Sequence, residues 1–246
     1  MKPNHFKIIL ITSLICFSLA TFCVQYVAFH DLRDTFYYMM QDIAFLPLQV
    51  LLVTLVLERI LKTKEKQDRL NKQNMVIGVF FSQIGVLLLR RFAGWDPGIK
   101  NTSGQLIIHK ACTDQTFKSL YSRFSSYKSG ILSDSINYGE LKETLVSNRG
   151  FLVGLLENQN LLDHEQFTDL LWATFHLLEE LVYRNDFSQI PKSDKDHLVI
   201  DVNRAYTLLI CQWIMYMQHL QKNYPYLFSL AMRTNPFDAN ASVTVG

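Results

Sequence analysis

His176, Glu179 and Glu180 fall at i, i+3 and i+4, and His164-Glu165 lie one helix-length upstream. On a helix this spacing places an imidazole and two carboxylates on neighbouring surface positions. These are the donor types that hold a divalent metal when a second helix packs more of them alongside. The competing reading makes Glu179 and Glu180 a solvated face with His176 at its boundary, and it is the stronger. Asp194-Lys195-Asp196-His197 reads better as the acidic, dipole-favoured first turn of a helix than as one half of a Glu-x-x-His di-iron site. The expectation is therefore no metal, no cofactor and no catalytic residue. His164, His176, Glu179 and Glu180 are the residues that would supply a metal site if there were one.

There is no P-loop, no GxGxxG, no GxSxG and no HExxH, so the leaning is against an enzyme. Trp172, Trp213, Tyr216 and Met217 read as core, with a hydrophobic pocket as the lesser alternative. Cys16 and Cys23 share a face of one apolar segment, and Cys112 and Cys211 lie far apart. That is the usage of small apolar side chains in a reduced compartment, not of a disulfide framework. A formal charge of +2, with no basic stripe interleaved with aromatics, excludes a nucleic-acid partner.

The elements that must position these residues begin with two apolar stretches, 8–29 and 36–57, separated by His30-Asp31-Leu32-Arg33-Asp34-Thr35. Roughly 20 residues at 1.5 Å rise cover a ~30 Å hydrocarbon core, so each is long enough to span a bilayer. The first runs on too far for a cleaved signal peptide. Lys2 and Lys7 precede the first stretch, Arg59, Lys62, Lys64, Lys66, Arg69 and Lys72 follow the second, and Arg33 alone sits between them. The positive-inside rule then places both termini in the cytoplasm, as a multi-pass protein of the cell (inner) membrane. Lys62, Lys64, Lys66 and Arg69 would meet anionic lipid. Asp42 and Gln49 are the polar positions of the second stretch. Asp42 lies roughly 9 Å from its outer end and is expected to reach the headgroups beside Tyr37 and Tyr38. Pro47 is expected to kink the span.

Residues 58–74 are charged and free of Gly and Pro, and they predict a helix continuing as a stalk, with Glu58–Lys62 and Glu65–Arg69 pairs. Met75 to Leu89 predicts a helix, either buried in the soluble core or lying on the membrane, with Gly78, Ser82 and Gly85 as a small-residue stripe. Further helices are predicted around Phe117–Phe124, from Tyr138 to about Asn158, from an Asp163 cap through Leu181, from a Ser193 cap to about Asn223, and over 226–233. Asp96-Pro97-Gly98 and Pro191 mark loops. The expected class is all-α. It comprises a two-helix transmembrane hairpin (1–60), a helical stalk (61–74), a cytoplasmic bundle of about five to six helices (75–237) and a disordered tail (238–246).

The segment Phe45-Leu46-Pro47-Leu48-Gln49-Val50-Leu51-Leu52-Val53-Thr54-Leu55-Val56-Leu57-Glu58-Arg59, continuing through Leu70-Asn71 to Asn74-Met75-Val76-Ile77-Gly78-Val79-Phe80-Phe81-Ser82, resembles a group of prokaryotic two-span membrane proteins with a helical cytoplasmic domain and no assigned activity. The resemblance implies a prokaryotic inner-membrane setting and no site residue. Three functions follow as expectations. The first is a membrane-anchored protein whose helical domain binds a protein partner or self-associates into a homo-oligomer. The second is an oligomeric channel or transport accessory using Asp42 and Gln49. The third is a membrane-bound enzyme or ligand sensor with its site in the bundle.

Overall fold

The computed structural model describes residues 3–29, 32–161 and 164–244. The described residues form helices and turns with no strand, so the all-α class holds. Contacts divide the chain into two units, Met1–Lys66 and Gln67–Gly246.

The first unit holds α1 (Pro3–Phe29) and the first part of α2 (Leu32–Phe80). Leu14, Phe17, Val24, Phe45, Leu52 and Leu57 are all exposed along these helices, and so are Asp42 and Gln49. By length and composition, two helical runs among the described residues are apolar enough to cross a membrane. In Phe36–Trp95 the most apolar window has a mean hydropathy of 2.0 and is wholly unburied, whereas in Lys192–Asn223 61% of that window is buried. Pro47 lies inside α2, where it removes the donor that the Ile43 carbonyl would otherwise receive. Residues 58–74, read as helix, lie inside α2, and Lys62 Nζ meets Glu58 Oε1 at 2.6 Å.

In the second unit the end of α2 passes into a π-helical turn, Phe81–Gly85, and then α3 (Val86–Trp95). There follow α4 (Asp114–Phe124), α5 (Tyr138–Ser147), α6 (Arg149–Leu156), α7 (Glu165–Val182), α8 (Lys192–Asn223) and α9 (Pro225–Arg233). α8 is the axis of this unit, with α3, α4, α7 and α9 all packed on it. Its residues Leu209, Ile210, Cys211, Gln212, Trp213 and Ile214 are buried in succession. A helix apolar on every side can be satisfied only in the middle of a core. Burial also pushes the Cys211 thiol up to about 11, so this cysteine is an inert apolar filler.

One face of the segment 75–89 packs into the core of the second unit. Ile77, Phe80, Phe81, Ile84, Leu88 and Leu89 are buried. Phe81 stacks on Tyr216 at 5.0 Å and meets Trp213 edge-on at 5.4 Å, while Phe80 meets Phe167 edge-on at 5.3 Å. The small-residue stripe has a direct cause at Gly85, where a Cβ would lie 2.7 Å from Phe81 Cδ1 and 2.9 Å from Phe80 Cε1. The loop read at Asp96-Pro97-Gly98 is tied by the fully buried Asp96 carboxylate. Asp96 accepts from Gly98 N at 2.9 Å, Gly130 N at 2.8 Å and the Tyr127 hydroxyl at 2.6 Å. These three donors satisfy the buried carboxylate, and no salt bridge reaches it among the described residues.

The structure corrects several expectations. The single helix from Tyr138 to Asn158 is two, because Asn148 (φ −105, ψ 9) leaves helical geometry and its Nδ2 donates back to the Thr144 carbonyl at 2.9 Å. α8 begins at Lys192, after Pro191 and not at a Ser193 cap, which suits proline's fixed φ at a helix entry. α7 is capped by His164; Asp163 lies outside the described residues. Trp172 is not core. It is 57% exposed, one position off the buried face of Leu170, Leu171, Thr174, Leu177, Leu178 and Leu181.

Gly85→Ala tests the aromatic contact. Overpacking a filled core costs about 1–3 kcal/mol, and the rings of Phe80 and Phe81 are held on both sides. The expected outcome is a lower Tm by circular dichroism for the full chain in mild detergent, whereas Gly94→Ala, where an added Cβ meets nothing within 4 Å, leaves it unchanged or raised.

Candidate functional site

Two consecutive helices each carry a histidine with a carboxylate four residues on: His176 and Glu180 on α7, His197 and Asp201 on α8. The i, i+4 spacing turns both members of each pair to one side of their helix. The antiparallel packing of α7 on α8 then brings the pairs face to face. Asp201 Oδ2 lies 3.4 Å from His176 Nε2 and 3.5 Å from His197 Nε2, and Glu180 Oε1 lies 3.8 Å from His176 Nε2. One donor atom from each of His176, Glu180 and His197 falls within 4.8 Å of the other two.

The surroundings differ sharply across the cluster. The side chains of His176 and His197 are 46% and 50% exposed, while that of Asp201 is 1% exposed. Asp201 Oδ1 receives Arg204 Nη1 at 3.1 Å. Asp201 Oδ2 is buried and has no hydrogen-bond partner among the described residues. Glu180 is arranged in the same way: Arg184 Nη1 holds Oε2 at 2.6 Å, and Oε1 is the oxygen near His176. Each arginine thus occupies the outer oxygen of a carboxylate and leaves the inner one directed at an imidazole.

The register that makes this possible is set at the end of the helix pair. Arg184, after the last turn of α7, forks onto Asp194 in the first turn of α8, with Nε to Oδ2 at 2.7 Å and Nη2 to Oδ1 at 2.6 Å. Its Nη1 also donates to the Glu180 carbonyl. The bond to Asp194 is the main reason the guanidinium is held even more firmly charged than usual, and the same bond holds the Asp194 carboxyl below the usual carboxylate range.

Of the residues singled out from the sequence, His176 and Glu180 come together, and His164 and Glu179 do not join them. His164 Nδ1 accepts from Phe167 N at 3.2 Å as the cap of α7, and burial lowers its pKa. Glu179 pairs with Arg149 at 2.9 Å. His197 and Asp201 are the partners that sequence reading passed over. Their signal was the repetition of His-x-x-x-Asp/Glu on two consecutive helices, obscured because His197 was absorbed into the acidic first turn. Chemically, His176, Glu180 and His197 bring one donor atom each within 4.8 Å of one another, and Asp201 Oδ2 adds a carboxylate oxygen beside both imidazoles.

An all-helical protein with separate N- and C-terminal helical parts is also what comparison with known proteins finds. A model described as the MJ1433 N-terminal helical domain matches residues 2–61, and one described as the C-terminal helical domain of Uncharacterized protein MJ1433 matches residues 69–233. The chain is 40% identical over 245 residues to Uncharacterized protein MJ1433 of Methanocaldococcus jannaschii, covering 100% of this chain and 98% of that protein. It belongs to the MJ1433 family. No solved structure matches it. The histidine–carboxylate cluster falls within the C-terminal helical domain.

Arg184→Met tests the bridge. It removes charge-assisted hydrogen bonds, worth about 1.5–3 kcal/mol each with a charged partner, and leaves Glu180 and Asp194 unpaired. The expected outcome is a Tm drop corresponding to about 2 kcal/mol or more, with the helical circular dichroism signal retained before the melt. An unchanged Tm would show that the bridge does not hold the two helices.

Proposed function

We propose that this chain is a membrane-anchored protein of the cell (inner) membrane, with both termini in the cytoplasm and a cytoplasmic helical domain that mediates protein contact. The observation that carries the anchor is the exposure of apolar side chains along α1 and the first part of α2, from Ile9 through Leu61. Keeping a Leu, Ile, Val or Phe in water instead of an apolar medium costs about 1.5–3 kcal/mol. A row of them exceeds the whole stability of a typical domain, about 5–15 kcal/mol. A bilayer removes that cost, and Lys62, Lys64, Lys66 and Arg69, all exposed on α2, suit anionic headgroups at its cytoplasmic face. On this topology Asp42 lies toward the outer headgroups. Support for protein contact comes from Trp172, which stands exposed on α7 beside Phe175, the rings 6.4 Å apart edge to face. Tryptophan is among the side chains enriched where interfaces are energetically strong.

Topology is tested in a cysteine-free background carrying either Arg33→Cys or Lys66→Cys, expressed in cells and prepared as sealed inside-out vesicles. The reading expects the protein to stay with the membrane through alkaline extraction. It expects an impermeant maleimide to label the Lys66 position and to spare the Arg33 position until detergent is added. Release at alkaline pH, or equal labelling of both positions, would overturn it.

A further inference from the structure

We propose that His176, His197 and Asp201, with Glu180 beside them, form a binding site for a divalent transition metal of the zinc class that fastens α7 to α8. The inference is independent of whether the chain is anchored in a membrane.

Two neutral imidazoles with one or two carboxylates suit borderline ions such as Zn2+, in contrast to the all-oxygen shells of Mg2+ or Ca2+. The geometry agrees with that chemistry. With metal–ligand bonds of about 2.0–2.1 Å in a tetrahedral shell, neighbouring donors stand roughly 3.3–3.4 Å apart. The separations from Asp201 Oδ2 to His176 Nε2 and His197 Nε2 are 3.4 and 3.5 Å. Both are longer than a normal N–H···O bond, yet they match two edges of such a tetrahedron. Glu180 Oε1, 3.8 Å from His176 Nε2, stands wider than these two edges and lies beside the site.

Asp201 Oδ2 itself has no hydrogen-bond partner among the described residues. A carboxylate oxygen this deeply buried without a hydrogen bond is costly, and it points at both imidazoles. A cation held by those imidazoles satisfies it. Two arginines support the carboxylates from outside. Arg204 fixes Asp201 through Oδ1, and Arg184 fixes Glu180 through Oε2, so both carboxylates are oriented before an ion arrives. The half-exposed histidines provide the path of entry.

The competing account is an ion-pair cluster, in which protonated histidines neutralise Asp201 and no metal is bound. The two are separated by titrating ZnCl2 into the full-length protein in mild detergent, after chelator treatment and removal of any oligohistidine tag, with isothermal calorimetry as the readout. The substitutions fall on the exposed histidines, because Asp201→Asn alters a buried group and could fail to fold. We expect one Zn2+ per chain for the parent protein. We expect at least a tenfold loss of affinity in His176→Gln and in His197→Gln, with helical circular dichroism unchanged. Affinity should be unaltered in His164→Gln and His219→Gln. A parent protein that takes up no Zn2+, or one whose binding survives both His176→Gln and His197→Gln, overturns the proposal.

Discussion

The packing of α7 on α8 in one antiparallel register is the constraint on which the C-terminal unit depends. Ion bridges across such a seam add modest net stability, because desolvating the charges offsets much of their attraction. Their geometric consequence is larger. Arg184 reaches Asp194 with two nitrogens at 2.6 and 2.7 Å, and a slip of one helical turn, about 5.4 Å, would take the carboxylate out of reach. The same slip would separate His176 from Asp201. Register and cluster therefore stand or fall together, and the apolar face of α7 from Phe167 to Leu181 provides the burial that holds both.

Within that frame Asp201 is the point of tension. Its neighbours on α8, Leu198, Val202, Ala205 and Tyr206, are core, and an apolar side chain would be the default in its place. A carboxylate there, half satisfied by Arg204, sits where α8 turns from its exposed first turns to its wholly buried middle. Departures from the local rule of this kind concentrate at functional positions. Asp96 is the instructive contrast, since it is equally buried but receives three hydrogen bonds and needs no further partner.

Much of the fold was legible in the sequence because helical periodicity is a strong signal. The helix expected through Leu181 and the one expected to about Asn223 are α7 and α8. Legibility failed where a single side chain decided the outcome. Asn148 splits α5 from α6 by folding onto the preceding turn, which composition cannot reveal. Trp172 read as core because tryptophan usually is, but its helical phase turns it outward. The site was half legible for a similar reason. His176 and Glu180 are neighbours on one helix, whereas their partners belong to another, and only the antiparallel register brings residues 176 and 201 into contact.

The most direct test is anomalous X-ray diffraction from crystals of the full chain grown with Zn2+, measured on both sides of the zinc absorption edge. The account predicts a zinc peak in the α7–α8 seam, about 2.0–2.2 Å from His176 Nε2, His197 Nε2 and Asp201 Oδ2. Well-ordered side chains at those positions with no peak between them would contradict it.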